Sequence, residues 1–418
     1  MNSQLGKWAQ VDENGRLVIP PDVTARFGLE PGAQVRIEEG KNDIRLHRPV
    51  MQLAKIYLEP TNVCNLACRM CMRNMWDEPS GRMIKDTFSN FIKRLQDLPT
   101  LPSVFIGGLG EPLSHPQIVN MVAQLTELGV RVEMITNGTL LSEEISRGLI
   151  NAGLDLLWIS IDGASPESYA DVRLGAALPE VLANINRFRK LRKGLRYFNK
   201  PEIGITFVAM KRNIRDLPEI IKLGRRVGAK HFLVSHVLPY TPDVQEEMLY
   251  ARMLRNITYM PSPWVPQLNL PKLNVDEFTS EAFIEVLNSG CNINFAGNDL
   301  ASSNDVCTFI ESGSMTISWD GSTSPCPPLS HNHISYLHGK ERRSRRHIIG
   351  NVNEQDLWEL WTDPEYVAYR KRIQNFAFAP CTPCGGCDLS EANEEDCYGN
   401  TFPACGGCLW AQGVIQCP

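Results

Sequence analysis

The sequence predicts an α/β protein: a partial (β/α)6 TIM barrel, with a small β-rich unit before it and a cysteine-rich domain after it. Three observations carry this. Six short apolar runs alternate with helical stretches between residues 53 and 240. Residues 8–48 alternate apolar and polar between turn signals, and ten of the thirteen cysteines fall at 291–417.

In residues 8–48, Asn14-Gly15, Pro20-Pro21 and Glu30-Pro-Gly32 separate the strand-like runs Arg16-Leu-Val-Ile19, Val35-Arg-Ile37 and Ile44-Arg-Leu46. Such alternation between turns is the pattern of half-buried strands, and one short helix is expected near 22–28. The next six strands are expected at Ile56-Tyr-Leu58, Val104-Phe-Ile106, Val132-Glu-Met-Ile135, Leu156-Leu-Trp-Ile-Ser-Ile161, Ile203-Gly-Ile-Thr-Phe-Val208 and His231-Phe-Leu-Val234. Helices are expected over 86–95, 117–128, 142–151, 178–191 and 217–227. Strands and helices in strict alternation imply a parallel sheet wound with one hand. Six units fall short of the eight that close a full barrel, so one side is open to a large substrate.

The rhythm stops at 241–290, where Pro242, Pro261, Pro263, Pro266 and Pro271 and the exposed-looking aromatics Tyr250, Tyr259 and Trp264 suggest a linker, or alternatively a lid. Met315-Thr-Ile-Ser318 and Trp319-Asp-Gly321 suggest a hairpin between Cys307 and Cys326. The stretch 331–347 holds four of the eight histidines and five Lys/Arg, and is expected to be a solvated, mobile loop without a role. The domains expected are thus 1–49, 50–240, 241–290 and 291–418.

Charge and composition limit the function. A net charge of −5 gives no global attraction to nucleic acid or anionic membrane. No signal-like segment opens the chain and no apolar run reaches a membrane span, so a cytoplasmic protein is expected. Thirteen cysteines in that reducing setting point to metal, not disulfides.

The most informative cysteines are Cys64, Cys68 and Cys71, in the run Thr61-Asn-Val-Cys-Asn-Leu-Ala-Cys-Arg-Met-Cys71 at the end of the first barrel strand. A [4Fe–4S] cube usually takes four thiolates. Residues 72–290 contain no further cysteine, so a cube held by this trio keeps one iron open. The plainer alternative, a zinc knuckle, needs a fourth Cys or His close by.

With these residues in place the chain resembles the radical S-adenosylmethionine (SAM) superfamily, although Met70 stands where that motif often has an aromatic. The resemblance implies that the open iron binds SAM, which is reductively cleaved to a 5′-deoxyadenosyl radical. It also implies SAM contacts at four strand ends. These are Gly108, Gly110 and Glu111 of Gly107-Gly-Leu-Gly-Glu-Pro112, Thr136 and Asn137, Ser160 and Asp162, and Arg173 as a cation for the methionine carboxylate.

Downstream, Cys307, Gly321 and Cys326, then Cys381-x2-Cys384, Cys405-Gly-Gly-Cys408 and Cys417, resemble the SPASM extension of radical maturases, as do Ile349-Gly-Asn-Val352 and Leu357-Trp-Glu-Leu-Trp361. That implies two auxiliary [4Fe–4S] clusters, three in all. By analogy one draws on Cys291, Cys307, Cys326 and Cys408 and the other on Cys381, Cys384, Cys405 and Cys417. Cys387 and Cys397 remain further candidate ligands, and a zinc ribbon is the alternative use of such pairs.

Residues 1–49 resemble an AbrB-like swapped-hairpin domain through Gly15-Arg-Leu-Val-Ile-Pro20 and Phe27-Gly-Leu-Glu-Pro-Gly32. Seven Lys/Arg there meet seven Asp/Glu, so phosphate neutralisation is not favoured. A homodimer or protein docking is expected instead of DNA binding. Together with Asn74-Met-Trp76 and the ending Cys408-Leu-Trp-Ala-Gln-Gly413, the whole most resembles maturases associated with tungsten-cofactor oxidoreductases. The implied substrate is the polypeptide of a tungsten-containing aldehyde oxidoreductase, a small peptide, or the oxidoreductase's pterin cofactor, with ferredoxin or flavodoxin as electron donor. A peptide-crosslinking or dehydrogenating radical enzyme and an iron–sulfur DNA-binding regulator are the competing expectations. No residue is singled out as a catalytic base.

Overall fold

The computed structural model describes residues 8–39, 44–76, 78–192, 201–251, 274, 276–287, 293–295, 307–337, 339–376, 378–379, 381–384 and 387–417. The N-terminal unit consists of two antiparallel pairs, β1 (Gln10–Val11) with β2 (Leu17–Val18) and β3 (Ile37–Glu39) with β4 (Ile44–Leu46), and one helix, α1 (Pro21–Phe27). Pro21 opens α1, where a missing N–H costs nothing, and Gly28 ends it in the left-handed region at φ 64°. Five apolar residues of the sheet pairs, Val11, Leu17, Val18, Ile37 and Ile44, leave more than half of their surface in solvent.

The unit is anchored to the rest of the chain through polar contacts. His47 is buried between Glu38, 2.8 Å from Nε2, and Glu311, 3.0 Å from Nδ1. The Arg36 guanidinium donates to the Gln374 carbonyl at 2.6 Å.

The barrel follows. Its strands are β5 (Lys55–Leu58), β6 (Ser103–Ile106), β7 (Val132–Thr136), β8 (Leu156–Ser160), β9 (Glu202–Ala209) and β10 (His231–His236), each parallel to the next. The helices between them are α2 (Lys85–Gln96), α3 (Ile118–Glu127), α4 (Glu143–Asn151), α5 (Pro166–Val172), α6 (Leu178–Arg192) and α7 (Leu217–Arg226). Strand residues such as Ile56, Ile106, Met134, Ile159 and Ile205 are fully buried, as expected where helices cover a parallel sheet. The expected six β/α units are present, so the fold is the partial barrel. Helix α5 is the one barrel element outside the expected pattern. Its Ser165–Ser168 capping box and Pro166 form a sufficient start signal.

Downstream of β10 the structure departs from expectation in two places. Within 241–290, the described residues are packed and not a free spacer. Helix α8 (Pro242–Gln245) follows β10, and Tyr250, expected to be exposed, is fully buried with its hydroxyl donating to the Val237 carbonyl at 2.8 Å. Helix α9 (Ser280–Leu287) lies on α7, with Lys222 Nζ 3.1 Å from Glu285. Tyr259, Trp264 and Cys291 lie outside the described residues.

The strands beyond 291 also join the barrel sheet itself. β11 (Ile293–Phe295) adds parallel to β10. After α10 (Thr308–Glu311), β12 (Ser314–Ile317) adds parallel to β5 on the other edge and turns into β13 (Ser322–Ser324), the expected hairpin.

The stretch expected to be a mobile loop is a second hairpin, β14 (His333–Leu337) with β15 (Lys340–Ser344). His331 and His333 beside and within it are buried. β16 (Gly350–Asn351) then pairs with β13, giving a sheet of order β11-β10-β9-β8-β7-β6-β5-β12-β13-β16. Three helices follow, α11 (Leu357–Thr362), α12 (Pro364–Gln374) and α13 (Cys381–Cys384). No helix among the described residues is long and apolar enough to cross a membrane.

Trp361 of α11 clamps this C-terminal half to the chain entering the barrel. It is fully buried, its indole N–H donates to the Met51 carbonyl at 2.8 Å, and the Arg370 guanidinium lies 3.7 Å from its ring centroid. Arg370 also donates to the Val50 and Trp361 carbonyls. Trp361→Ala is expected to cost about 3–5 kcal/mol, the usual loss for a buried aromatic, read as a lower thermal unfolding midpoint. An unchanged midpoint would show that the clamp carries no weight.

Candidate active site

The cysteine loop is held by main-chain bonds on both flanks. Thr61 and Asn62 grip Gly81 ahead of it, with Thr61 Oγ1 donating to the Gly81 carbonyl at 2.7 Å and Gly81 N–H donating to Asn62 Oδ1 at 2.7 Å. Behind, the Ala67 and Arg69 N–H groups donate to the Leu174 and Val172 carbonyls at the end of α5, at 3.3 and 3.0 Å. These bonds satisfy carbonyls that a helix end leaves open. Within the loop, Cys71 N–H donates to the Cys68 carbonyl, as does the Asn74 side chain.

The three cysteines therefore lie on one loop at the C-terminal end of β5, near enough for each thiol to feel another's charge, although no three His, Cys, Asp or Glu side chains among the described residues are grouped to hold a metal ion. Burial raises the Cys64 pKa and lifts Cys71 to about 11, while the Arg73 charge works against both shifts. Thiols held protonated by burial, with cations at hand, suit a site whose iron displaces the protons on binding. Arg173 Nη1 lies 3.7 Å from Cys68 Sγ.

Several of the strand-end residues expected at the site are tied to one another or to this loop. Glu111 is buried and fully engaged: Oε1 accepts from Leu113 N–H at 3.0 Å and Thr136 Oγ1 at 2.7 Å, and Oε2 accepts from Asn137 N–H at 2.8 Å. Burial raises its pKa, and these bonds oppose the rise.

Glu111 thus joins the ends of β6 and β7. Asn137 continues the link, its side-chain amide donating to Asn65 Oδ1 in the cysteine loop at 2.9 Å. Gly110 is needed because a Cβ there would strike the Thr61 carbonyl, and Gly108, at φ 143°, packs on the Glu59 side chain. The glycines bring the β6 loop flush against the cysteine loop.

At β8, Ser160 Oγ accepts from Thr206 Oγ1 at 3.1 Å. Asp162 is fully buried, with Oδ1 accepting from Val208 N–H at 2.7 Å and Oδ2 pairing with Arg173 Nε at 2.5 Å. Burial works against the Arg173 charge, but Asp162 and the Cys68 thiol outweigh it and push its pKa up.

A cavity adjoins the loop, with Met72 in its lining. One wall is barrel, with Tyr57, Phe105 and Gly108, and the other comes from the C-terminal half, with Pro328, Trp410 and Cys417. Three residues that sequence reasoning missed stand at its side. His331 is buried with Nε2 3.0 Å from Glu59 and Nδ1 2.5 Å from Glu78, and its ring centroid is 4.6 Å from that of Trp76. Burial alone would lower the imidazole pKa, but both carboxylates raise it to about 9. For Glu78, burial is likewise overcome by His331 and by the Asn332 N–H, and its pKa falls. Glu59, a carboxylate closing an apolar strand, was a readable signal. His331 and Glu78 are 253 positions apart, and no local pattern joins them.

The described distal cysteines have different surroundings, and none of these forms a group of three metal-ligating side chains. Cys307, Cys326, Cys405 and Cys408 line one cavity of about 710 Å³, and burial raises all four thiols. Cys405 thus stands with Cys307, Cys326 and Cys408, where the analogy had put Cys291, which is outside the described residues.

Cys381 lines a second cavity of about 330 Å³; after burial and the opposing Arg342 charge, its proton affinity feels Asp396, Cys397 and Cys387. The side chain of Cys384, on the same helical turn, lies outside the described residues. Cys417 faces the barrel cavity instead. The regrouping arises because the turn Cys405-Gly-Gly-Cys408 packs both of its thiols inward, with Tyr369 Oη 3.2 Å from Cys405 Sγ.

Comparison with known proteins agrees with this geometry. Residues 58–224 match the radical SAM superfamily model, and residues 307–388 match the SPASM iron–sulfur cluster-binding domain. The chain is 30% identical over 371 residues to the tungsten-containing aldehyde ferredoxin oxidoreductase cofactor-modifying protein of Pyrococcus furiosus, spanning 87% of this chain and 96% of that protein.

The chain belongs to the radical SAM superfamily.

It is a SPASM-containing radical SAM enzyme of the maturase type, and binding of SAM and iron–sulfur clusters comes with those domains. Among solved structures it resembles Streptococcus suis SuiB bound to the precursor peptide SuiA, with TM-score 0.53 at 16% identity over 76% of this chain and 66% of that one. It also resembles anSMEcpe with bound AdoMet, with TM-score 0.53 at 18% identity over 81% and 87%. These share the fold.

The Glu59–His331–Glu78 arrangement gives a pH-dependent stability. With its folded pKa raised, His331 contributes fully below its unfolded value of 6.5, and the contribution is lost as pH rises through about 9. Glu78, with its pKa lowered, contributes above its unfolded value of 4.5 and loses it in acid. The difference in unfolding free energy between wild type and His331→Gln is expected to be widest near pH 6, on the order of 1–3 kcal/mol for charge-assisted bonds, and to close toward pH 10. A gap independent of pH from 6 to 10 would contradict the assignment.

Proposed function

We propose that this radical SAM enzyme binds SAM over a [4Fe–4S] cluster on Cys64, Cys68 and Cys71, and modifies a protein, peptide or cofactor in the maturation of a tungsten-dependent aldehyde oxidoreductase. The observation that carries the reading is the nearly full-length likeness to the Pyrococcus furiosus cofactor-modifying protein, joined to a cavity that opens beside the cysteine trio. When bound, the cluster supplies the electron that cleaves SAM to the 5′-deoxyadenosyl radical. The chain's own residues hold the parts in place. Arg173 presents a cation beside Cys68 for the methionine carboxylate, with Asp162 fixing its orientation. Thr136, Asn137, Ser160, Gly108, Gly110 and Glu111 shape the strand ends that receive the remainder, Glu111 by bracing loops and not by direct contact.

The distal cysteines serve two auxiliary [4Fe–4S] clusters. The first takes Cys307, Cys326, Cys405 and Cys408, and the second takes Cys381 with Cys384, Cys387 and Cys397 as its neighbours in the fold or the chain. A ferredoxin or flavodoxin supplies electrons in the cytoplasm. The exposed apolar residues of the N-terminal unit and its balanced charge support a homodimer there, not DNA binding.

The test is anaerobic reconstitution with iron and sulfide counting, then assay of 5′-deoxyadenosine under dithionite with and without the tungsten oxidoreductase. About twelve irons per chain are expected from three cubanes, with 5′-deoxyadenosine formation that rises when the oxidoreductase is added. Cys68→Ala is expected to lose about four irons and all 5′-deoxyadenosine formation. About four irons in the wild type would remove the auxiliary clusters, and a rate indifferent to the oxidoreductase would remove it as the partner.

A further inference from the structure

The face of the barrel sheet beside the cavity changes character from one strand to the next. In register, Phe105 of β6 stands beside Tyr57 of β5, Tyr57 beside Thr316 of β12, and Thr316 beside Ser324 of β13. Partners in register share a face, and so do residues two positions on, which adds Glu59 beyond Tyr57 and Ser318 beyond Thr316. The ladder reaches that far, for the Glu59 N–H donates to the Ile317 carbonyl at 2.9 Å. One face thus runs from aromatic rings through a carboxylate to hydroxyls, and Phe105, Tyr57, Glu59 and Thr316 all line the barrel cavity.

The polar end of this face has bonding capacity left. Thr316, Ser318 and Ser324 are 4%, 4% and 0% exposed, and none of their hydroxyls has a hydrogen-bond partner among the described residues. Native folds leave few buried polar atoms unpaired, and three on one face mark a place where a ligand completes the bonding. Glu59 is fixed in position, with Oε1 accepting from the Leu109 N–H at 2.9 Å and Oε2 lying 3.0 Å from His331 Nε2. A carboxylate offers roughly four acceptor sites, so Glu59 can still accept from a ligand.

Three properties narrow the occupant. Among the described residues no Lys or Arg lines the cavity, and His331 is already engaged by two carboxylates, so a phosphate or carboxylate finds no free cation there. β5 and β12 are paired on both edges, which leaves no strand edge for a peptide to extend. Tyr57, Phe105 and Trp410 offer flat apolar surface suited to a planar ring. A planar ring with N–H donors for Glu59 and an acceptor for Thr316 satisfies all three.

We propose that the barrel cavity takes a planar nitrogen heterocycle of the aminopyrimidinone class, a pterin-type ring, with its amino and ring N–H groups on Glu59 and its ring carbonyl on Thr316. The inference rests on the reading above that this cavity receives the substrate, and it selects the cofactor among the substrates named there. Glu59 and Thr316 determine specificity by holding the edge of the ring.

The experiment is binding of pterin, and of lumazine, which carries an oxo group where pterin has its amino group, to the reconstituted full-length enzyme, followed by quenching of the probe's fluorescence. Saturable pterin binding is expected, with lumazine weaker. Thr316→Val is expected to weaken pterin about tenfold, as loss of one hydrogen bond to a ligand does, and Glu59→Gln to erase the preference for pterin over lumazine. If Glu59→Gln fails to fold, Thr316→Val, which keeps the branched shape, decides alone. No saturable binding, an affinity that Thr316→Val leaves unmoved, or a preference that a folded Glu59→Gln retains, overturns the inference. If pterin fails to bind while the tungsten oxidoreductase still raises 5′-deoxyadenosine formation, this inference falls and the proposed function stands. If pterin binds as expected and the oxidoreductase has no effect, the partner falls and this inference stands.

Discussion

The ion pair between Asp162 and Arg173 is the contact on which the barrel mouth depends. Asp162 is fully buried on the loop after β8, and an ionised carboxylate there survives only if each oxygen is engaged. One oxygen takes the Val208 N–H of β9 and the other takes Arg173, whose far nitrogen reaches the Cys68 sulfur. A single buried charge therefore ties two strands, the end of α5 and the cysteine loop into one unit. Glu111 does the same for β6 and β7, and Asn137 extends that link to Asn65.

The second constraint is continuity of the sheet. The C-terminal half is not a separate body set beside the barrel; β12 continues it from β5, and β11 from β10. This brings Trp410, Cys417 and His331 over the strand ends and makes the cavity a joint product of both halves. Pro328 and Trp410 are shared by the barrel cavity and the cavity lined by Cys307, Cys326, Cys405 and Cys408.

Much of this was legible in the sequence because local signals and the fold agree. Short apolar runs alternating with helical stretches located all six barrel strands, and the thiol spacing at 64–71 needed no long-range information. What was not legible arises from pairing across distance. Tyr250 looked exposed among prolines, yet its hydroxyl finds the Val237 carbonyl and the ring is buried with it. The basic, histidine-rich stretch 331–347 looked solvated by composition, but hairpin alternation turns His333 and Arg342 inward, and His331 is captured by two carboxylates from far upstream. The neighbours of the distal cysteines were not legible either: the analogy put Cys405 with Cys417, and in the structure Cys405 lines a cavity with Cys307, Cys326 and Cys408 while Cys417 faces the barrel cavity.

The central claim is that the trio Cys64, Cys68 and Cys71 holds a cluster with one iron open to SAM. The most direct measurement is the EPR spectrum of the dithionite-reduced enzyme before and after adding SAM. One [4Fe–4S] signal should change its g-values on addition, and that signal should be missing from a variant with all three of these cysteines replaced by alanine. Spectra that do not respond to SAM, or a response that persists in the triple variant, would contradict the account.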